Sequence, residues 1–119
     1  MTVCANNGVF TVTNIEELHT ALNAACGEIW LGEGVDSYPC IAILGCDGGA
    51  SLNYFAEQDG DMYVSVGDKG LRGTLDVNID GEIYSIERRS IITVEKVIES
   101  AEEFLNALKL PECIEWEKL

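Results

Sequence analysis

The sequence predicts an α+β fold, in which a meandering antiparallel sheet is accompanied by one helix near each end of the chain. Two segments show helical periodicity, and the residues between them alternate with period two and are rich in glycine. With 119 residues, 47% of them hydrophobic, and only two prolines, the chain is long enough for one core. We therefore assign residues 1–119 to a single domain.

The first helix is predicted from its N-terminal cap. Asn14 is followed three positions later by Glu17, which is the spacing of a capping box. Gly27 is placed to end the helix. The apolar residues at helical spacing are Ile15, Leu18, Leu22 and Ala25.

The central strand is predicted at residues 38–44, YPCIAIL, because this segment is apolar on both faces. The segments SLNYFA (51–56) and MYVSV (62–66) predict the next two strands, joined through Asp59-Gly60. Together they predict the middle of the sheet.

Two further turns and a last strand complete the predicted sheet. Asn7-Gly8 and Asp80-Gly81 are turn pairs between strand-like flanks. The segment IEW at 114–116 predicts a short final strand.

The second helix is predicted to begin at Thr93, and Pro111 ends the segment that follows it. Its apolar side is predicted from Val94, Val97, Ile98, Ala101, Leu105 and Leu108, with Phe104 beside them. Its polar side is predicted from Glu95, Glu99, Glu102 and Glu103.

The charge is strongly negative and unevenly distributed. Twenty-one acids and seven bases give a formal net charge of −14, and residues 1–68 hold ten acids and no Lys or Arg. Such a surface repels nucleic acid and anionic membranes and attracts basic proteins.

No apolar run approaches the ~20 residues of a membrane span, and the start MTVCANNGVF lacks the features of a signal peptide. We expect a cytoplasmic protein that binds neither nucleic acid nor membrane; the oligomeric state stays open.

The cysteines, the histidine and the tryptophans favour structural roles. No C-x-x-C pair occurs, so neither a zinc site nor a disulfide framework is predicted for Cys4, Cys26, Cys40, Cys46 and Cys113. His19 is the one histidine, and spacing places no nucleophile beside it. A small enzyme with a cysteine nucleophile therefore stays a minor hypothesis. Trp30 and Trp116 are expected in the core, with an interface as the alternative.

A calcium loop is the main alternative interpretation of the segment DVNIDGEIYSIE, residues 76–87. Asp76, Asn78, Asp80 and Glu87 occupy the ligand positions of a twelve-residue loop, and Glu82 adds a carboxylate. However, Val77 and Ile79 alternate with the polar residues as in a strand, and the preceding glycines disfavour an entering helix. We therefore predict a hairpin with no metal and no cofactor, and keep calcium binding as the alternative.

The C-terminal third resembles a known family. Its spaced pattern is formed by Thr93, Glu95, the Ile98-Glu99 pair, Ala101 and Phe104, followed by Pro111-x-x-Ile114-x-Trp116-x-x-Leu119. Upstream, Tyr38-Pro39, LNYF and VSVGD are similar to its central sheet, so the resemblance covers roughly residues 9–119. The pattern resembles that of the deaminase-inhibitor type of bacterial polymorphic-toxin immunity proteins, the first family of such proteins.

This resemblance implies a non-catalytic protein that binds a cognate toxin domain and blocks its active site. The toxin of this family is commonly a nucleic-acid deaminase, whose working cleft is expected to be basic because it approaches phosphates. The resemblance supplies no contact residues. From local charge and expected exposure we predict a partner-binding surface comprising Tyr54, Glu57, Asp59, Asp61, Tyr63 and Asp68.

Overall fold

The architecture is α+β, as the sequence predicts: an antiparallel sheet carries two helices on one face and a separate hairpin. The computed structural model describes residues 1–5, 8–24, 27–34, 36–46, 48–79 and 81–119. In that part of the chain, ten strands, β1 to β10, span Thr2–Ala5, Gly8–Thr11, Glu28–Gly32, Cys40–Cys46, Gly49–Phe55, Met62–Val66, Thr74–Ile79, Glu82–Glu87, Ile91–Thr93 and Glu115–Lys118. The helices there are α1, Ile15–Ala24, and α2, Val94–Ala107.

The main sheet has the strand order β10-β6-β5-β4-β3-β1-β2, and β9 pairs with β5 beside this path. The predicted central strand is confirmed, because β4 lies in the middle of that order. The predicted pairing of the next two strands and the short last strand are also confirmed, as β5–β6 and as β10. Sequence reasoning missed β3, which pairs with both β1 and β4.

Both helices begin at the predicted caps. Asn14 Oδ1 accepts a hydrogen bond from the Glu17 N–H at 2.9 Å, and Thr93 Oγ1 accepts one from the Lys96 N–H at 3.3 Å. The predicted apolar side of α2 is partly wrong, because Val94 in its first turn is 51% exposed. The buried residues of α2 are Val97, Ser100, Ala101 and Phe104.

Some sequence predictions fall outside the described residues, namely Asn7, Ala25, Cys26 and Asp80. The hairpins that flank two of these residues are nevertheless present. Ala5 pairs with Gly8, and Ile79 pairs with Glu82, so each hairpin closes over two residues. Gly81 has a φ of 88°, which glycine adopts without strain.

The core lies between the main sheet and the two helices. It includes Val3, Ile29, Leu31, Ile41, Ile43, Leu52 and Tyr54 from the sheet and Leu18, Ala21, Val97, Ala101 and Phe104 from the helices. The helices also contact each other, since His19 Nε2 lies 2.6 Å from Glu102 Oε1. No helix among the described residues has the length and apolar character needed to cross a membrane.

Three buried serines support a fork in the sheet, where β5 changes its neighbour. Residues 49–51 of β5 pair with β9, and residues 53–55 pair with β6. Between them, the Leu52 N–H donates to Ser65 Oγ at 2.9 Å, and that hydroxyl donates to the Ser90 carbonyl at 2.7 Å. Ser51 Oγ lies 2.8 Å from Ser90 Oγ. The hydroxyls thus satisfy backbone groups that the ladder leaves unpaired at the fork.

The substitution Ser65→Ala is expected to lower the free energy of unfolding by about 2–3 kcal/mol, because it leaves the Leu52 N–H and the Ser90 carbonyl buried without this partner. The measurement is urea denaturation at neutral pH. The matched control is Ser85→Ala, which removes an exposed hydroxyl bonded to Asp76 and should change stability by less than about 0.5 kcal/mol. Equal losses in the two variants would contradict the role of the fork.

Glu103 of α2 is hydrogen-bonded to the backbone of the segment that leads to β10. Its carboxylate accepts hydrogen bonds from the Glu112 N–H at 2.8 Å and the Cys113 N–H at 3.1 Å. These bonds, the Glu112 N–H above all, lower the pKa of Glu103 below its ordinary value. Because the folded-state pKa is the lower one, this stabilisation is present above the unfolded pKa and is lost as pH falls through the folded pKa.

The substitution Glu103→Gln should therefore destabilise the fold by about 1 kcal/mol at neutral pH, because an amide offers one acceptor oxygen to two N–H donors. The difference in the free energy of unfolding between the wild type and the variant should become smaller as the carboxylate is protonated. Urea denaturation at pH 7 and pH 3 tests both statements. A difference that grows in acid would contradict the direction of the pKa shift.

Candidate functional site

The predicted acidic loop lies between β5 and β6 and is exposed. Glu57, Asp59 and Asp61 all belong to this loop, and the Glu57 carbonyl accepts a hydrogen bond from the Gly60 N–H at 3.4 Å. Asp61 Oδ1 lies 3.3 Å from Lys118 Nζ. The loop therefore combines its carboxylates with a base from β10.

The other predicted contact residues do not join this loop in one surface. Tyr54 is only 6% exposed and packs edge-on against Phe104, so its expected exposure is wrong. Tyr63 is half-buried beside Tyr54 on the helix-bearing face, with ring centroids 6.0 Å apart. Asp68 follows the far end of β6 and accepts a hydrogen bond from the Gly70 N–H at 2.9 Å.

A different surface stands out on the helix-free face of the main sheet. The register aligns Val9, Cys4 and Trp30 in one cross-strand row, so the three side chains point to the same side. Val9 is 63% exposed and Trp30 is 38% exposed, and the indole stacks on Phe55 with ring centroids 5.6 Å apart. The expected core position of Trp30 is therefore wrong.

Trp116 occupies the position expected for both tryptophans. It packs against the core on the helix-bearing face, and its Nε1–H donates to the Pro111 carbonyl at 2.7 Å. The two tryptophans thus lie on opposite faces of the sheet, which makes them independent reporters of those faces.

Two cavities flank Trp30. The first, which we name the Trp30 cleft, has a volume of about 390 Å³ and lies between the helix-free face and the tip of the β7–β8 hairpin. It is lined by Cys4, Ala5, Glu28, Trp30, Ile79, Glu82 and Tyr84. The second, the Tyr38 cavity, has a volume of about 280 Å³. It is lined by Thr2, Cys4, Trp30, Leu31, Gly32, Gly34, Asp36, Ser37, Tyr38 and Cys40.

Hydrogen bonds fix the polar side chains of the Trp30 cleft. Glu28 Oε1 accepts a hydrogen bond from Trp30 Nε1–H at 2.5 Å. The Tyr84 hydroxyl lies 3.3 Å from Glu28 Oε2 and 3.2 Å from Glu82 Oε2. The hydrogen bond to Glu82 and the charge of Glu28 raise the pKa of Tyr84, so the hydroxyl keeps its proton at neutral pH. The indole and the phenol are therefore held by carboxylates.

Two of the basic side chains, Lys69 and Arg89, lie away from this surface. Neither the Trp30 cleft nor the Tyr38 cavity is lined by a described Lys or Arg. Lys69 and Arg89 pair with Glu115 and Glu117 of β10. In the strand order β10 is four spacings from β3, about 19 Å at the usual interstrand distance. Since charges are screened over about 8 Å at physiological salt, these bases leave the field of Glu28 and Glu82 largely uncancelled.

The predicted hairpin at residues 76–87 is confirmed, and it separates the proposed calcium ligands. Asp76 and Asn78 lie on β7, whereas Glu82 and Glu87 lie at opposite ends of β8, about 16 Å apart along an extended strand. Asp76 Oδ1 accepts a hydrogen bond from Ser85, and Asn78 Oδ1 accepts one from the Gly81 N–H. Within the described residues, no three His, Cys, Asp or Glu side chains are grouped to hold a metal ion. Calcium binding stays the alternative hypothesis.

The described cysteines are free thiols in buried or half-buried positions. They are Cys4, Cys40 and Cys113, whereas the side chain of Cys46 lies outside the described set. Burial raises the pKa of the Cys40 and Cys113 thiols, which lowers their thiolate fraction at neutral pH. These two thiols are therefore poor candidates for the nucleophile of the enzyme hypothesis.

The chain matches no protein-family model, and a search of curated proteins finds no relative.

Calcium titration of the wild type is expected to produce no saturable heat at millimolar calcium, because the candidate oxygens are spread along two strands. Isothermal calorimetry measures this outcome, and Asp76→Asn is the control for any heat observed. Saturable heat that disappears in this variant would support the calcium hypothesis instead.

Proposed function

We propose that this chain is a bacterial immunity protein that binds a cognate toxin domain and blocks its active site without catalysing a reaction. The toxin domain is basic and is a nucleic-acid deaminase, and the complex forms in the cytoplasm with one copy of each partner. The proposal rests on one structural observation, the exposed Trp30 on a sheet face bordered by carboxylates, together with the resemblance of residues 9–119 to the deaminase-inhibitor type of immunity proteins.

Exposed aromatic residues ringed by charge are typical anchors of protein interfaces. The row Val9–Cys4–Trp30 supplies apolar area on a strand-paired, rigid surface, and Glu28, Asp36 and Glu82 border the two cavities beside it. A rigid surface loses little conformational entropy on binding. This combination favours tight association with a protein whose own surface is basic.

The long-range field supports the same partner. A net charge of −14, with no Lys or Arg before residue 69, attracts a cationic surface and imitates the negative potential of a nucleic acid. Fast capture matters for such a protein, because an unbound deaminase modifies the genome of the cell that produces it. Electrostatic steering raises association rates well above those of neutral pairs.

The residues that carry the family resemblance support the fold, not the contacts. Phe104 and Pro111 are fully buried, and Trp116 packs against the core. The contact surface is therefore expected elsewhere. We place its centre at Trp30, and the predicted loop residues Glu57 and Asp59, which follow Phe55 at the end of β5, extend the same negative field.

The test is inhibition of a purified toxin domain encoded by the neighbouring gene. At one-to-one stoichiometry the wild type should abolish deamination of single-stranded DNA or RNA, and the two proteins should co-purify. The association rate should fall as salt rises through the physiological range, while the dissociation rate changes little, because screening acts on the approach of the partners.

The matched control is a toxin domain of the same chemistry from an unrelated locus, which should retain full activity. If the protein in equimolar amount inhibits no toxin domain of its own locus, the proposed function is wrong. If the association rate did not depend on salt, inhibition would still support the proposed function, but the electrostatic steering would be contradicted.

A further inference from the structure

The Trp30 cleft combines an exposed indole with two carboxylates that share one proton donor. The Tyr84 hydroxyl is within hydrogen-bond distance of both Glu28 and Glu82, yet a phenol carries one proton and can donate it to one oxygen at a time. The other carboxylate then faces the negative charge of its neighbour and the lone pairs of the phenol. The two carboxylates therefore have more acceptor sites than the described side chains of the cleft have donors, and no positive charge among those side chains balances them.

The Trp30 side chain lines the same cleft in a fixed orientation. Phe55 stacks on Trp30, and Glu28 holds its Nε1–H, so the orientation of the ring is fixed before any partner arrives. Trp30 is 38% exposed and lines both the Trp30 cleft and the Tyr38 cavity. A ring presented in this way offers its π-surface to a cation.

We infer that the Trp30 cleft receives an arginine side chain of the basic partner, with the guanidinium bonded to both Glu28 and Glu82 and its plane against the indole of Trp30. This inference rests on the proposed function, because it assumes a basic protein partner. It goes further in naming the side chain that the partner inserts and the three residues that receive it.

Arginine fits this site better than lysine for geometric reasons. A guanidinium has five N–H donors in a planar fork, so it bonds two separate carboxylates at once and stacks on an aromatic ring. An ammonium group is a strongly hydrated point charge without a flat face. The cleft offers two acceptors on different strands and one flat apolar wall, which matches the shape of the guanidinium.

The first experiment needs no toxin. The probe is a short peptide in which two arginines alternate with glycine, compared with its lysine counterpart of equal charge, and the readout is the pair of indole N–H resonances in a ¹H–¹⁵N spectrum. Trp30→Phe assigns the two resonances, and Trp116, bonded to Pro111 on the other face, is the internal reference. The arginine peptide should shift the Trp30 resonance saturably and leave that of Trp116 in place.

Two matched variants locate the binding. Glu82→Gln removes one carboxylate at the exposed hairpin tip and should weaken the binding of the arginine peptide about tenfold. Glu57→Gln removes the same charge in the β5–β6 loop and should change binding less than twofold. Equal affinity of the arginine and lysine peptides, an equal effect of the two variants, or a shift confined to Trp116 would overturn the inference.

The second experiment uses the toxin domain and separates the inference from the proposed function. Glu82→Gln should weaken the complex about tenfold, and Glu57→Gln should weaken it less than twofold. If the toxin domain is inhibited but Glu82→Gln has no effect, the arginine assignment fails and the proposed function stands. If no toxin domain is inhibited but the arginine peptide binds, the proposed function fails and the cation-binding cleft stands.

Discussion

The arrangement of the sheet depends on the serine-supported fork in β5. A strand that changes its neighbour leaves backbone groups at the junction without ladder partners, and each such buried group costs about 1–3 kcal/mol if nothing bonds to it. The Ser65 hydroxyl serves both the Leu52 N–H and the Ser90 carbonyl, so one side chain replaces two missing ladder contacts. Gly67 completes the junction, because a Cβ at that position would lie 2.0 Å from the Ile91 carbonyl oxygen.

The fork also explains why a cleft exists. The chain leaves the main sheet after β6 and returns at β9, so residues 67–90 make an excursion that includes the β7–β8 hairpin. The bond from the Arg88 N–H to the Gly73 carbonyl closes the base of this hairpin, and the bond from the Gly67 N–H to the Arg89 carbonyl fixes the adjoining segment next to the fork. Its tip reaches Gly27 and Glu28, where a Cβ on Gly27 would lie 3.0 Å from Ile79 Cγ2. The space left beneath the tip is the Trp30 cleft.

Local signals in the sequence predicted much of this fold. Asn14 and Thr93 are caps because their side-chain oxygens reach an N–H three residues on, a relation contained within one turn. The pairing of β7 with β8 follows equally from alternation around a tight turn. Both predictions needed only neighbouring residues, and both are confirmed in the described part of the chain.

The candidate site could not be predicted in this way, because its members come from three distant segments. Cys4, Trp30 and Tyr84 meet only through the pairing of β1 with β3 and the placement of the hairpin. The segment Glu28–Gly32 does alternate, with Ile29 and Leu31 buried and Trp30 outward, so it carried a signal for an exposed tryptophan. That signal is five residues long and does not reveal which face of a sheet is left uncovered by helices.

Charge and aromatic surface have separate roles in the recognition that we propose. The field of a chain with net charge −14 acts before contact and is insensitive to the position of any one carboxylate, so it sets the rate of encounter. Affinity depends on what touches, and there the fixed orientation of Trp30 matters more than the number of acids. Glu28 contributes both to the rate of encounter and to affinity, because its charge adds to the field and its carboxylate also holds the indole through the Nε1–H. A partner that is merely basic would be attracted to the whole negative surface, whereas one that presents a planar cation at the correct position is retained at Trp30. In the recognition that we propose, selectivity among basic proteins therefore resides in the geometry of one cleft and not in the net charge.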